Sequence, residues 1–194
     1  MNKFVLTENE KAFHKEIHDS ACRTHRDKYC RYSGHDYSLH LDSALHVGKQ
    51  FINLLNDNQL NVLCAISCHD IIEDCGVNYN DLIVTLESKS VLHQGMLTKA
   101  DTIFIADCVY NVTNELGRNR KERAEKTYPK IAACEYATFV KLCDRIANMR
   151  FGWLKGGDML HKYKKEHAHF YEILGANYAH FQPMWKELEY MSNM

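Results

Sequence analysis

The 194-residue chain reads as an all-α protein, a single helical bundle closed by a C-terminal helical appendage. Three observations predict this. Apolar residues recur at three-and-four spacing through most of the chain, the period of a helix with one buried face. Only two prolines and nine glycines interrupt it, fewer breakers than many short strands and turns would need. A composition 45% apolar and 25% charged supplies enough apolar material for one core. The length suits one domain, with residues 1–155 as its body and residues 156–194 as helices packed on it.

Thr7 followed by Glu10 is a capping-box pattern opening a helix over 7–25. Residues 41–55 carry Ala44, Leu45, Phe51, Ile52 and Leu55 on one helical stripe. Residues 58–74 are apolar nearly all round, which predicts a central helix. Residues 81–87 read as a short helix or a strand. Residues 101–114 read as helix, with some strand character over 102–105. A charged helix follows over 119–126, and Tyr128-Pro129 is read as opening another that runs to Glu135. An apolar helix over 138–151 is ended near Gly156-Gly157. Helices over 158–174 and 182–191 complete the chain, Pro183 suiting a first turn.

Lys plus Arg number 24 against 25 Asp plus Glu, so no global basic field draws the chain to nucleic acid. No apolar run approaches the ~20 residues that span a bilayer, and the first 18 residues lack a signal peptide's apolar segment. A cytoplasmic protein with reduced thiols is expected. Its eight cysteines form no C-x-x-C pair and read as small core side chains, with a cysteine metal site the other possibility.

The chemistry concentrates at Cys68-His69-Asp70-Ile71-Ile72-Glu73-Asp74. On a continuous helix His69, Glu73, Asp70 and Asp74 project at about 0°, 40°, 100° and 140°. Three carboxylates and an imidazole on one side of an apolar helix repel and lose hydration unless the end is solvated or a divalent cation is held there. Two other segments favour the cation. Asp144 and Asn148 share a helix face with Lys141, and His40 stands just before a helix begins. Two imidazoles and two carboxylates form a mixed N/O set suited to Mn²⁺, Fe²⁺ or Zn²⁺.

The order His40, His69-Asp70, Asp144 resembles the ligand pattern of HD-domain metal-dependent phosphohydrolases. More narrowly it resembles the Rel/Spo-type (p)ppGpp hydrolases and the stand-alone small alarmone hydrolases. Their R-x-S-G-x-x-Y-x-x-H segment is matched by Arg31, Ser33, Gly34, Tyr37 and His40. Their H-D-x-x-E-D is matched by His69, Asp70, Glu73 and Asp74. Their V-K-L-x-D-R-x-x-N-x-R is matched by Val140, Lys141, Leu142, Asp144, Arg145, Asn148 and Arg150. The match runs from about residue 22 to 150. It departs at Tyr32, where a lysine is frequent, at Leu41 for a proline, and at Ala147 for a histidine.

The resemblance implies a single HD-domain helical bundle with a manganese ion on His40, His69, Asp70 and Asp144. It implies Glu73 and Asp74 as the catalytic pair that orients and activates water. Arg31 would stack on a base and Asn148 would touch the ribose side, with Ser33, Tyr37 and Lys141 also at the substrate. The expected reaction is 3′-pyrophosphohydrolysis of guanosine 3′,5′-bis(diphosphate), with a small-molecule nucleotide as partner. The alternatives are another nucleotide (a dNTP, a dNMP or NADPH) or a non-catalytic nucleotide-binding HD protein. Residues 117–130 set six basic residues against two acidic ones. This run is either a solvated helix face or a grip on substrate phosphates through Arg118, Arg120, Lys121 and Arg123.

Overall fold

The computed structural model describes residues 4–156 and 158–193, and it is 77% helical, the all-α bundle expected. The Gly157 half of the expected helix stop lies outside the described residues, while Gly156 caps the preceding helix with a positive φ of 70°. Helix α1 (Glu8–Asp27) opens on the Thr7–Glu10 capping box and buries Phe13, Ile17 and Ala21. A two-residue hairpin follows, β1 (Arg31–Tyr32) against β2 (His35–Asp36). Its turn residues Ser33 and Gly34 both have positive φ, 48° and 85°, the backbone that a tight hairpin turn demands.

Helix α2 (Ser38–Phe51) starts three residues before the apolar stripe suggests. Asp36 accepts from the Ser38 amide at 3.0 Å and pins that start, so His40 stands inside the first turn and not ahead of it. Helix α3 (Gln59–Cys68) is the central element, with Asn61 through Cys68 all buried against α1, α2 and later helices. The helix read as continuous to Asp74 in fact breaks at His69-Asp70, and α4 (Ile71–Cys75) restarts the chain. The angular placement expected for His69, Asp70, Glu73 and Asp74 on one straight helix therefore does not hold.

Helix α5 (Tyr79–Leu92) settles the helix-or-strand alternative over 81–87 as helix. Helix α6 (Lys99–Val112) is likewise helical through 102–105. Helix α7 (Arg120–Ala132) runs unbroken through Pro129, which therefore opens no new helix. Pro129 and Glu125 are both exposed, so the carbonyl that loses its donor turns to water.

Helix α8 (Glu135–Lys155) is longer than the apolar pattern and crosses the core. Helices α9 (Asp158–Leu174) and α10 (Gln182–Asn193) pack on α7 and α8 and bury Phe170, Leu174, Trp185 and Leu188. Among the described residues no helix is long and apolar enough to cross a membrane.

The eight cysteines are free, and one is chemically distinct. Cys134 caps the start of α8. The Cys108 thiol donates to its sulfur, and the Ala137 and Tyr136 amides also face it; together they outweigh burial and bring it down to about 6. An ordinary thiol stands at 9.0. The stabilisation from this thiolate is thus full above pH 9, is lost as pH falls toward 6, and is absent below that. Iodoacetamide at pH 7 is expected to modify Cys134 ahead of buried Cys64, Cys68 and Cys143, as peptide mass mapping will read. Modification of all four at one slow rate overturns the assignment.

Candidate metal centre

Four helix ends and faces meet at one point. The hairpin anchors α2 so that His40 turns inward. The break after α3 lets His69 and Asp70, adjacent in the chain, aim at the same spot. Asp144 arrives from the middle of α8. His40 and His69 are 2% exposed and Asp144 is 7% exposed.

His40 Nε2 and His69 Nε2 are 3.1 Å apart. Asp70 Oδ2 lies 3.3 Å from the first and 2.9 Å from the second. Asp144 Oδ1 lies 3.3 and 3.8 Å from the same two nitrogens. Donor atoms about 3 Å apart suit neighbouring corners of a shell around a cation with bonds of about 2.1 Å; His40, His69 and Asp70 form such a group, and Asp144 stands beside its two imidazoles.

The tautomer also fits. His69 Nδ1 donates to the Ile66 carbonyl at 2.8 Å, which leaves the Nε2 lone pair for a cation. Asp70 Oδ2 accepts from the Tyr37 hydroxyl at 2.6 Å, and the Tyr37 ring stacks on His25 at 4.4 Å. Lys141 Nζ sits 2.7 Å from Asp144 Oδ2, the oxygen turned from the histidines. Asn148 donates to Asp144 Oδ1 and accepts from the Tyr32 hydroxyl at 2.8 Å. Tyr32 itself stacks on His40 at 4.8 Å.

The electrostatics attract positive charge in any form. Burial drives His40 toward its neutral state, but hydrogen bonds and charge from Asp144 and Asp70 prevail and raise it to about 9. His69 rises against burial through Asp70. Burial opposes ionisation of Asp70 and Asp144 as well. The imidazoles, with Lys141 beside Asp144, still hold both well below the usual carboxylate range. Replacing Tyr37 with phenylalanine is expected to lower Mn²⁺ affinity by about 10-fold, since ligand-orienting partners are worth about 10–100-fold. An unchanged Mn²⁺ titration would show that the hydroxyl does not orient Asp70.

A cavity of about 230 Å³ opens over these ligands. Asp74 lines it, its backbone at the surface and its carboxyl partly covered by the cavity wall; that partial burial and the nearby Asp70 charge raise its pKa. Glu73 also lines it, but both its oxygens accept from Asn114, at 2.9 Å each from the side-chain amide.

Of the residues expected at the substrate, Tyr37, Lys141, Asn148, Arg120 and Arg123 reach this wall. The polar ends of Tyr37, Lys141 and Asn148 rest on the carboxylates of Asp70 and Asp144. Arg31, Ser33, Arg118 and Lys121 stand outside the wall. Side chains alternate along a strand, so with Tyr32 buried Arg31 faces solvent. Ser33 forms the hairpin turn, and Arg118 pairs with Glu122 at the surface. Lys121 lies 3.8 Å from Glu125 on the outer face of α7.

The wall also holds Tyr32, Asn114, Arg145, Met159 and Tyr163, none of them assigned to the site from the sequence. Arg145 directly follows the candidate ligand Asp144, and that adjacency was a usable signal. Tyr163 had none, because it arrives from a helix of the appendage.

No protein-family model matches the chain, and no curated protein matches it.

Proposed function

We propose that the chain is a metal-dependent phosphohydrolase of the HD type acting on a phosphorylated nucleotide. Its preferred reaction is release of pyrophosphate from the 3′ position of guanosine 3′,5′-bis(diphosphate). The observation that carries the reading is the meeting of two imidazoles and two carboxylates beside Asp74 and a basic wall. The donor set suits Mn²⁺, with Fe²⁺ or Zn²⁺ as other occupants. A divalent cation held there supplies Lewis acidity, lowering the pKa of water and polarising a phosphoryl oxygen.

The chain's own groups do the rest. Asp74, on the cavity wall beside the candidate ligands, takes the proton as water oxygen attacks phosphorus. The bond from that phosphorus to the ribose 3′ oxygen breaks, and the oxygen takes up a proton to leave GDP and pyrophosphate. Lys141 keeps Asp144 aligned, and Asn114 fixes Glu73 at the rim so that Asp74 alone meets the water.

A Mn²⁺-supplemented screen against ppGpp, pppGpp, NTPs, dNTPs, dNMPs and NADPH, with products identified, tests this. Turnover of ppGpp to GDP and pyrophosphate is the expected result. Turnover of another member alone moves the substrate, and no turnover by Mn²⁺-loaded protein overturns the catalytic reading in favour of nucleotide binding.

A further inference from the structure

A second cluster of charge lines the same cavity, and the metal chemistry makes no use of it. Arg145 is 3% exposed. Its Nη1 sits 3.2 Å from Glu166 and its Nη2 donates to the Tyr128 hydroxyl at 2.9 Å. Its guanidinium lies 4.3 Å from the centres of both the Tyr163 and Phe170 rings. Arg120, the first residue of α7, donates to both oxygens of the same Glu166, its Nη2 at 3.0 Å. It too lies over Tyr163, at 5.4 Å.

One carboxylate therefore serves two guanidiniums, and a buried charge persists only when it is balanced. Burial alone would push Glu166 up, yet Arg120 and Arg145 hold it below its usual value. The imbalance of one positive charge is directed inward, because Arg120 and Arg145 line the cavity while Glu166 stands behind them. Arg123 on the same wall adds to it. Lys141 does not, since its ammonium is committed to Asp144.

Glu166 takes the Nε–Nη2 edge of Arg120 and Nη1 of Arg145, and the remaining N–H groups of these two planes, fixed against Tyr163, are pre-organised for phosphate oxygens. We propose that Arg120 and Arg145, held by Glu166 and Tyr163, form a second anion subsite. It takes a phosphate group of the substrate other than the one attacked. The substrate class is then a nucleotide with an additional anionic group beside the scissile one. This rests on the phosphohydrolase reading above. Glu166 and Tyr163, one turn apart on α9, are positioning residues, so the C-terminal appendage builds part of the site.

The test uses the full chain stripped of metal, with inorganic pyrophosphate as the probe and calorimetry as the readout. Wild type is expected to bind pyrophosphate with an affinity that falls as salt rises. Arg120→Gln is expected to lose at least tenfold. Arg118→Gln, which removes the same charge from the same basic run but outside the cavity, is expected to lose less than twofold. Absent binding in wild type, or equal losses in the two variants, overturns the subsite. The arginine that Arg120→Gln removes is 40% exposed at its side chain, and circular dichroism confirms that the variant is folded. Pyrophosphate binding without hydrolysis of any nucleotide would sink the catalytic reading alone. Hydrolysis with equal losses would sink the subsite alone.

Discussion

His69→Ala is expected to cut Mn²⁺ affinity by at least about a hundredfold and to remove phosphohydrolase activity with it. The bound applies because even outer partners of a metal ligand are worth about 10–100-fold, and His69 supplies a donor itself. Its Nε2 lies within 3.8 Å of the three other donor atoms, so alanine leaves a three-cornered shell. Mn²⁺ titration and metal analysis of the purified variant measure it, and wild-type metal content would refute the site. Asp144→Ala should act the same way with an added penalty. Lys141 Nζ, 2.7 Å from Asp144 and only 14% exposed at its side chain, would be left without its carboxylate. Its melting temperature is expected to fall as well, which makes His69→Ala the cleaner variant.

Asp74→Asn is expected to lower kcat by about 10²–10⁴-fold, the range for a lost general base, while Mn²⁺ affinity and KM stay within about threefold. Asp74 meets the metal group only through the Tyr37 hydroxyl that it shares with Asp70 and through the Asp70 charge, and asparagine keeps an oxygen to accept from that hydroxyl. Glu73→Gln should have the smaller effect on kcat, because Glu73 is committed to Asn114. The pH profile offers a second check. If Asp74 is the base, the acid limb of kcat/KM should vanish in Asp74→Asn. If Glu73→Gln were the more damaging change, the water-activating role would pass to Glu73.

The helices were legible because each writes its buried face into a local period. Thr7 and Glu10 announced α1, and the all-round apolar run announced α3 as central. Two features escaped that logic. The hairpin at Arg31–Asp36 is too short to have a period, though Ser33-Gly34 is a turn dipeptide. The break at His69-Asp70 is invisible to periodicity because both flanking runs, Leu63–Cys68 and Ile71–Ile72, stay apolar across it. That break is what allows two adjacent side chains to face one point, where a straight helix would hold them about 100° apart.

The primary structure by itself supplied the candidate side chains: His40, His69, Asp70, Asp74 and Asp144 stand out by residue type and by position relative to apolar helices, which are local properties. Which of their neighbours hold them, and which basic groups face the same cavity, was decided only by packing. Arg120 and Arg118 are two residues apart in one basic run, and nothing local separates them. α9 does, because it lays Tyr163 and Glu166 beside Arg120 and Arg145 and leaves Arg118 in water. Contacts between helices distant in the chain depend on where each helix lies in space, and that is a property of the whole core.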